Sequence, residues 1–125
     1  MDRSTRQRHT LQLVFQASDR PLNVQDLLNA GRKILPALGI ATVYRTVKSL
    51  LDEKWLIMVQ IPGGPAHYEP AGKSHHHHFR CRKCQRLFDL DGCVSDLKVL
   101  APSGFQLDGH DIVLYGSCKD CSKKR

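Results

Sequence analysis

Four cysteines in two Cys-x-x-Cys pairs constrain the fold of this chain more than any other feature. The first pair is Cys81 and Cys84 and the second is Cys118 and Cys121, with 33 residues between the inner cysteines. Four thiolates at this spacing are enough to close a tetrahedral zinc site. Such a site would tie two segments that are distant in sequence, so we predict that the carboxy-terminal part folds around a structural zinc ion.

A redox-active dithiol of the thioredoxin type is the alternative for these pairs. The amino terminus is polar and does not resemble a signal peptide, so we expect a cytoplasmic protein whose thiols stay reduced. No apolar run is long enough to cross a bilayer, so no membrane partner is expected. Two pairs without a surrounding βαβ pattern favour structural zinc. The fifth cysteine, Cys93, is unpaired and is predicted to be a small, buried, unreactive thiol.

Four consecutive histidines precede the first cysteine pair. If they lie on a strand, alternate side chains face opposite sides, so His76 and His78 face one side and His75 and His77 the other. This pattern predicts two metal sites, one on each face. The alternatives are a solvated loop or a truncated purification tag.

Further ligands are needed to complete two sites. The acidic and imidazole groups best placed near the predicted strands are Glu69, Asp89, Asp96 and His110. Two other histidines, His9 and His67, are expected at the surface, because a lone histidine is more often a surface residue than a ligand.

The first half of the sequence predicts three helices and a hairpin. Apolar residues recur every three or four positions, and proline or glycine separates the three sets. The predicted helices span about 4–17, 23–33 and 41–53. Two β-prone runs follow, Trp55–Ile61 and His67–Glu69, joined by Pro-Gly-Gly-Pro. Three helices followed by a hairpin are typical of a winged helix-turn-helix.

Beyond a small polar stretch at 71–74, which is the candidate hinge, the pattern changes to short strands. They are predicted at about 77–81, 86–90 and 112–115, with a short helix near 93–100 that ends before Pro102. The chain carries 19 Lys and Arg against 12 Asp and Glu. This basic excess suits a polyanion such as DNA, although it is weak support when taken alone.

Several motifs in the same order resemble the ferric uptake regulator (Fur) superfamily, which includes zinc-uptake and peroxide-sensing members. The resemblance covers nearly the whole chain. It rests on Thr5–Arg8, Ala41–Arg45, Gly63–Gly64, His75–Cys84, His110, Leu114–Gly116 and Cys118–Cys121. Arg6 stands where the family usually has proline.

The resemblance implies an α+β fold, with an N-terminal winged helix-turn-helix followed by a small α/β dimerisation domain that holds a structural zinc. The corresponding boundaries are 1–70 for the DNA-binding domain, 71–74 for the hinge and 75–125 for the dimerisation and metal-binding domain. The implied function is a metal-responsive repressor of metal-homeostasis genes. It would bind a double-stranded DNA operator as a homodimer and have no small organic substrate.

The resemblance also implies three sets of metal ligands. The structural zinc set is Cys81, Cys84, Cys118 and Cys121. The regulatory set at the hinge is Glu69, His76, His78 and Asp89. A secondary set in the dimerisation domain is His75, His77, Asp96 and His110.

The regulatory ion is left open between Zn²⁺ and Fe²⁺. Many iron and peroxide sensors take a ligand from a histidine before the second helix, and this chain has Pro21 there. Peroxide sensors use aspartate at the position of Glu69, which disfavours that type. Zinc sensors often use a cysteine or aspartate ligand near the hinge, but residues 70–73 offer no cysteine, and Cys93, the alternative ligand, is not at the familiar spacing. The nitrogen-rich ligand set favours zinc.

The third predicted helix is expected to enter the major groove of DNA. Arg45 and Tyr44 are candidates for base contacts, since arginine pairs with guanine and tyrosine packs on a thymine methyl. Thr42, Thr46 and Lys48 are candidates for phosphate contacts. Arg3, Arg6 and Arg8 are candidates for anchoring the first helix or for reaching the minor groove. The predicted core residues of the third helix are Val43, Val47 and Leu50.

Two other functions compete with a repressor. A zinc deaminase needs His-x-Glu, Pro-Cys-x-x-Cys and an open zinc position. His67 and Glu69 have the first spacing, but Arg80 precedes Cys81 where proline would be needed, and four thiolates would close the metal site. A zinc-ribbon adaptor, or a structural DNA-binding protein without a metal switch, would explain the cysteines but not the paired histidines. An enzyme is therefore not expected, and the adaptor remains the alternative.

Overall fold

A computed structural model describes residues 2–94 and 96–123. The chain divides into two compact units, Met1–Lys73 and Ser74–Arg125, which we call the amino-terminal and carboxy-terminal units. Residue 1 of the predicted DNA-binding domain, and residues 95 and 124–125 of the predicted dimerisation and metal-binding domain, lie outside the described residues. In the part that is described, the first unit has a two-stranded sheet and the second a three-stranded sheet.

Three helices form most of the amino-terminal unit: α1 (Arg3–Ala17), α2 (Val24–Arg32) and α3 (Ile40–Asp52). Asp2 caps α1 by accepting a hydrogen bond of 2.7 Å from the N–H of Thr5. Asn23 and Asp26 form a capping box at the start of α2. The helices predicted from apolar spacing agree with these bounds to within one residue.

The core of this unit lies where the apolar faces of the three helices meet. Its helical residues are at most 5 % exposed: Leu11, Phe15, Leu27, Leu28, Val43, Val47 and Leu50. Burying one such side chain contributes about 1.5–3 kcal/mol. The prediction that Val43, Val47 and Leu50 are core residues is confirmed. Because these three residues turn one face of α3 towards the core, Tyr44 and Arg45 are exposed to solvent.

The wing is a hairpin of β1 (Leu56–Val59) and β2 (His67–Pro70), which pair antiparallel. Gly63 lies in the connecting turn with a φ of +76°, a conformation that glycine adopts without strain. A bridge between Leu22 and Tyr68 ties the hairpin to the segment before α2. The predicted surface position of His67 was wrong: the side chain is fully buried.

The carboxy-terminal unit is built on a sheet of β3 (His76–Cys81), β4 (Leu87–Asp91) and β5 (Val113–Gly116), in the order β4-β3-β5. The central strand β3 is antiparallel to β4 and parallel to β5. Because β3 and β5 run in the same direction, their carboxyl ends at Cys81 and Gly116 lie side by side. This topology places the chain segments that carry the two cysteine pairs at the end of the sheet where β3 and β5 terminate.

Two short helices complete this unit. A 3₁₀ helix spans Leu97–Leu100, so the helix predicted near 93–100 is shorter than expected. The helix α4 (Lys119–Ser122) was not predicted. Among the described residues of this unit, the buried apolar side chains are Cys81, Leu87 and Cys118. No helix in the described ranges is long and apolar enough to cross a membrane.

Candidate metal centres and nucleic-acid interface

Four cysteine side chains converge at the end of the three-stranded sheet where β3 and β5 terminate. Their sulfur atoms lie within 4.8 Å of one another, and we call this group the cysteine cluster: Cys81, Cys84, Cys118 and Cys121. A regular tetrahedron with Zn–S bonds of about 2.3 Å has sulfur–sulfur edges of about 3.8 Å. The Sγ atoms of Cys84 and Cys118 are 3.8 Å apart. The cluster therefore fits a closed tetrahedral zinc site.

Local structure explains how each pair reaches the cluster. Cys81 ends β3, and the turn after it includes Gln85 at a φ of +66°, so that the N–H of Cys84 lies 3.4 Å from the Sγ of Cys81. Cys118 follows β5 and starts α4, and one helical turn brings in Cys121. The second pair thus lies at the start of a short helix, with Cys118 as its N-cap.

The surroundings of the cluster stabilise negative charge on the sulfur atoms of Cys81 and Cys84 but oppose it on that of Cys121. The backbone N–H of Cys84, followed by that of Cys118, lowers the pKa of the Cys81 thiol to about 5. Burial opposes ionisation of Cys84, but the N–H and guanidinium of Arg86 outweigh it and lower the pKa of that thiol. Burial, together with the neighbouring thiols, raises the pKa of Cys121 to about 12. Four thiolates here therefore require a cation.

A second group lies on one face of β3 and β4. The Nε2 atoms of His76 and His78 are 3.6 Å and 3.4 Å from Oδ1 of Asp89. His78 and Asp89 are direct cross-strand partners, and His76 lies two residues before His78 on the same face. We call His76, His78 and Asp89 the histidine–aspartate cluster.

The histidine–aspartate cluster has the donor chemistry of a cation site. His76 donates from Nδ1 to the backbone carbonyl of Ser74 at 2.8 Å. In the neutral ring Nε2 is then unprotonated, and it faces the Asp89 carboxylate with its lone pair. A backbone carbonyl that fixes the tautomer in this way is a common second partner of metal-ligating histidines. The residues present therefore fit a divalent ion.

Glu69, the remaining residue of the regulatory set, belongs to β2 of the amino-terminal unit. Its side chain is fully buried, and Lys73 contacts it with Nζ 3.3 Å from Oε2. Burying a carboxylate is costly unless it is paired or coordinates a cation. Its burial is thus consistent with a charged partner.

The opposite face of β3 carries a third group, the histidine–cysteine cluster: His75, His77, Cys93 and His110. The Nε2 atom of His75 lies 3.0 Å from that of His77 and 3.2 Å from that of His110. The Sγ atom of Cys93 lies 3.2 Å from Nε2 of His77 and 2.9 Å from Nε2 of His110. Burial, followed by the neighbouring His75 and His110, lowers the pKa of His77, which favours the neutral form that binds metals.

Two expectations for this region change. Cys93 was predicted to be a buried, unreactive thiol, but its side chain is exposed and its sulfur belongs to the cluster. Asp96, which the resemblance gave as the fourth ligand, is not part of the group. Asp96 instead adopts a left-handed conformation at the start of the 3₁₀ helix. Sequence reasoning could not assign Cys93 to a site, because this residue lies in an irregular segment where spacing carries no orientation.

A basic, hydroxyl-rich surface lies on the amino-terminal unit between α1 and α3. It is lined by Arg3, Ser4, Gln7, Arg8, Thr42, Arg45, Thr46 and Ser49. Arg45 donates a 3.1 Å hydrogen bond to Oγ1 of Thr42, one turn earlier on α3. Guanidinium and hydroxyl groups of this kind bind phosphate oxygens and base edges. Four predicted contacts therefore share this surface: Arg8 of α1 and Thr42, Arg45 and Thr46 of α3.

Arg8 and the predicted DNA contacts outside this surface differ in their surroundings. Arg8 forms an ion pair with Glu53 and lies 3.4 Å from Oγ of Ser49, so part of its charge is already matched within the unit. Tyr44 is exposed on another side of α3, beside Ala66 of the wing. Lys48 and Arg6 are both exposed. The predicted set is thus spread over α1, α3 and the approach to the wing.

Comparisons with known proteins place this geometry among metal regulators. The ferric uptake regulator family matches residues 2–115. The ferric uptake regulation protein of Campylobacter jejuni is 30% identical over 126 residues, covering 97% of this chain and 80% of that protein. The zinc uptake regulation protein of Mycobacterium tuberculosis is 29% identical over 122 residues, covering 95% and 94%. A solved zinc-bound manganese uptake regulator superposes with a TM-score of 0.79 at 26% identity, covering 94% of this chain and 91% of that one.

Proposed function

The chain belongs to the ferric uptake regulator family of metal-responsive transcriptional repressors, and on that premise we propose which of its residues sense the metal and which bind DNA. The observation that carries the proposal is the histidine–aspartate cluster. Two imidazoles and a carboxylate converge there, and the strand that carries both histidines begins three residues after the amino-terminal unit ends. Ligands in this position can couple metal binding to the winged helix.

We propose that His76, His78 and Asp89 hold the regulatory ion, with Glu69 as the fourth ligand that the resemblance implies. A bound divalent ion supplies the positive charge that these groups share. Glu69 lies in the wing and the other three ligands lie beyond the hinge at 71–74. Simultaneous ligation by all four would therefore restrict that hinge and lower the ordering entropy lost when the protein binds DNA.

Zn²⁺ and Fe²⁺ are the candidate regulatory ions. Imidazole and carboxylate ligands accept both. Known relatives of this chain include a ferric uptake regulation protein and a zinc uptake regulation protein. Zinc is our first candidate, because it accepts imidazole and carboxylate ligands in a four-coordinate tetrahedral site.

The carboxy-terminal unit is proposed to form the homodimer. It presents large apolar side chains to solvent, of which Val94, Val99, Leu100 and Phe105 are each at least 65% exposed. Large exposed apolar patches mark interaction sites in soluble proteins. A second copy of the chain would cover them and place two α3 helices for two half-sites of an operator.

Replacing Arg45 with alanine is the test of the DNA-binding surface. We expect operator affinity to fall about 5- to 150-fold, because a bidentate arginine–guanine pair is worth about 1–3 kcal/mol. Lys48→Ala should instead weaken binding to all sequences and reduce the salt slope by about one. Fluorescence anisotropy on DNA selected from a random pool by the metal-loaded protein measures both effects.

Thermal unfolding should be unchanged in both variants, since Arg45 and Lys48 are exposed. If Arg45→Ala bound the selected DNA with full affinity and unchanged base preference, α3 would not be the recognition helix. That result would favour the adaptor alternative, in which the cysteines hold a fold that does not read DNA.

A further inference from the structure

We propose that Cys93 completes a three-nitrogen, one-sulfur site with His75, His77 and His110, and that this site selects Zn²⁺ over Fe²⁺ and Mn²⁺. The proposal extends the function above because it adds a zinc-selective site to the regulator. It does not depend on the histidine–aspartate cluster, which lies on the other face of β3.

The first argument is geometric. The four ligand atoms form a closed ring of contacts, with neighbouring atoms 2.9–3.2 Å apart. A neutral imidazole nitrogen either donates or accepts, but cannot do both, and a thiol has one proton. Donors and acceptors must then alternate around the ring, so two protons would have to serve four contacts. This shortage of protons matches ligand atoms gathered around a cation better than a hydrogen-bonded cluster. Because the N–H of Ile112 donates to Nδ1 of His77, that ring must give up its Nε2 proton when it binds the ion.

The second argument concerns the element that each residue comes from. His77 lies near the start of β3, whose register with β4 and β5 is fixed by backbone hydrogen bonds, and His75 immediately precedes this strand. Cys93 follows β4 and His110 precedes β5. The two neighbouring strands of β3 thus each bring one further ligand to the same face. The ligands therefore come from three chain segments that the pairing of β3 with β4 and β5 brings together.

The third argument is chemical. Thiolate and imidazole ligands suit zinc, whereas carboxylates and water suit manganese and other hard ions. Zinc accepts four tetrahedral ligands drawn from nitrogen and sulfur. An aspartate in place of the thiol would weaken this discrimination, and Asp96 is not in the cluster. The identity of the fourth ligand therefore decides which ion the site prefers.

Cobalt substitution tests the proposal directly. We expect the protein with zinc in its cysteine cluster, stripped of exchangeable metal by mild chelation, to bind Co²⁺ with a thiolate-to-cobalt charge-transfer band in the near ultraviolet. Cys93→Ser should lose this band and bind Zn²⁺ at least about 100-fold more weakly, since even outer partners of a ligand are worth 10- to 100-fold. Cys93→Asp should keep an ion but lose preference for Zn²⁺ over Mn²⁺ in competition titrations.

Two matched variants separate this proposal from the others. Asp96→Ala should leave the band and the Zn²⁺ affinity unchanged, whereas loss of both would return the fourth ligand to Asp96. His76→Ala should also keep the band, so a failure of the regulatory cluster would not be mistaken for a failure here. A band that persists in Cys93→Ser, or Co²⁺ uptake without a band in the native protein, would overturn the proposal. Thermal unfolding confirms that each variant is folded.

Discussion

Cys118→Ser is expected to unfold the carboxy-terminal unit and to abolish dimer formation while the amino-terminal unit stays folded. A structural zinc site contributes about 10–16 kcal/mol to folding in small peptides, and a whole domain is usually stable by only about 5–15 kcal/mol. The described residues of this unit bury few apolar side chains, chiefly Leu87 and two of the cysteines themselves. The unit therefore has little hydrophobic core to replace the zinc.

Limited trypsin digestion and sedimentation measure this effect. Arg80 is buried in the native sheet, so cleavage after it should become rapid in Cys118→Ser, while the core of α1, α2 and α3 should resist. The mass in solution should fall from a dimer to a monomer. Cys93→Ser is the matched control, because it removes a cysteine of the same unit from outside the cysteine cluster. Native-like protection and a dimer in Cys118→Ser would contradict a structural role for the zinc.

Combined alanine replacement of His76 and His78 is expected to remove the metal dependence of DNA binding. Coupling between an effector site and a binding site is typically worth 5- to 150-fold in affinity, and we expect this factor to fall to about one. The basal affinity of the metal-free protein should persist, because Arg45 and Thr42 lie on the other unit. Anisotropy titrations of the selected DNA with and without added Zn²⁺ or Fe²⁺ give the factor.

His75→Ala is the control for this experiment, since His75 neighbours His76 but belongs to the histidine–cysteine cluster. It should retain the metal-dependent rise in DNA affinity. If the double variant still responded to metal as the native protein does, the histidine–aspartate cluster would not be the regulatory site.

The helical half of the fold could be predicted because its signals are local. Val43, Val47 and Leu50 recur at helical spacing, and each is buried where α3 packs on its neighbours. The alternation of the histidines was equally local, since strand geometry alone separates His76 from His77. Periodic patterns of this kind survive in a single sequence because each residue needs only its near neighbours.

Features that depend on tertiary contacts were missed. His67 carries no periodic signal that separates a buried strand residue from an exposed one, yet it is fully enclosed. Cys93 lies in an irregular segment after β4, where no spacing rule tells which way a side chain points. The short helix that carries Cys121 spans only four residues, too few to show a helical period. In each case the missing information was which other segment packs nearby.

The measurement that tests the central claim most directly is the metal content per chain before and after mild chelation, determined by mass spectrometry. One zinc that survives chelation and two further ions that exchange would match the three clusters. Loss of one exchangeable ion in His76→Ala/His78→Ala, and of the other in Cys93→Ser, would assign them. A single tightly held zinc, with no further ion bound after Zn²⁺ or Fe²⁺ is added, would contradict a metal-responsive switch.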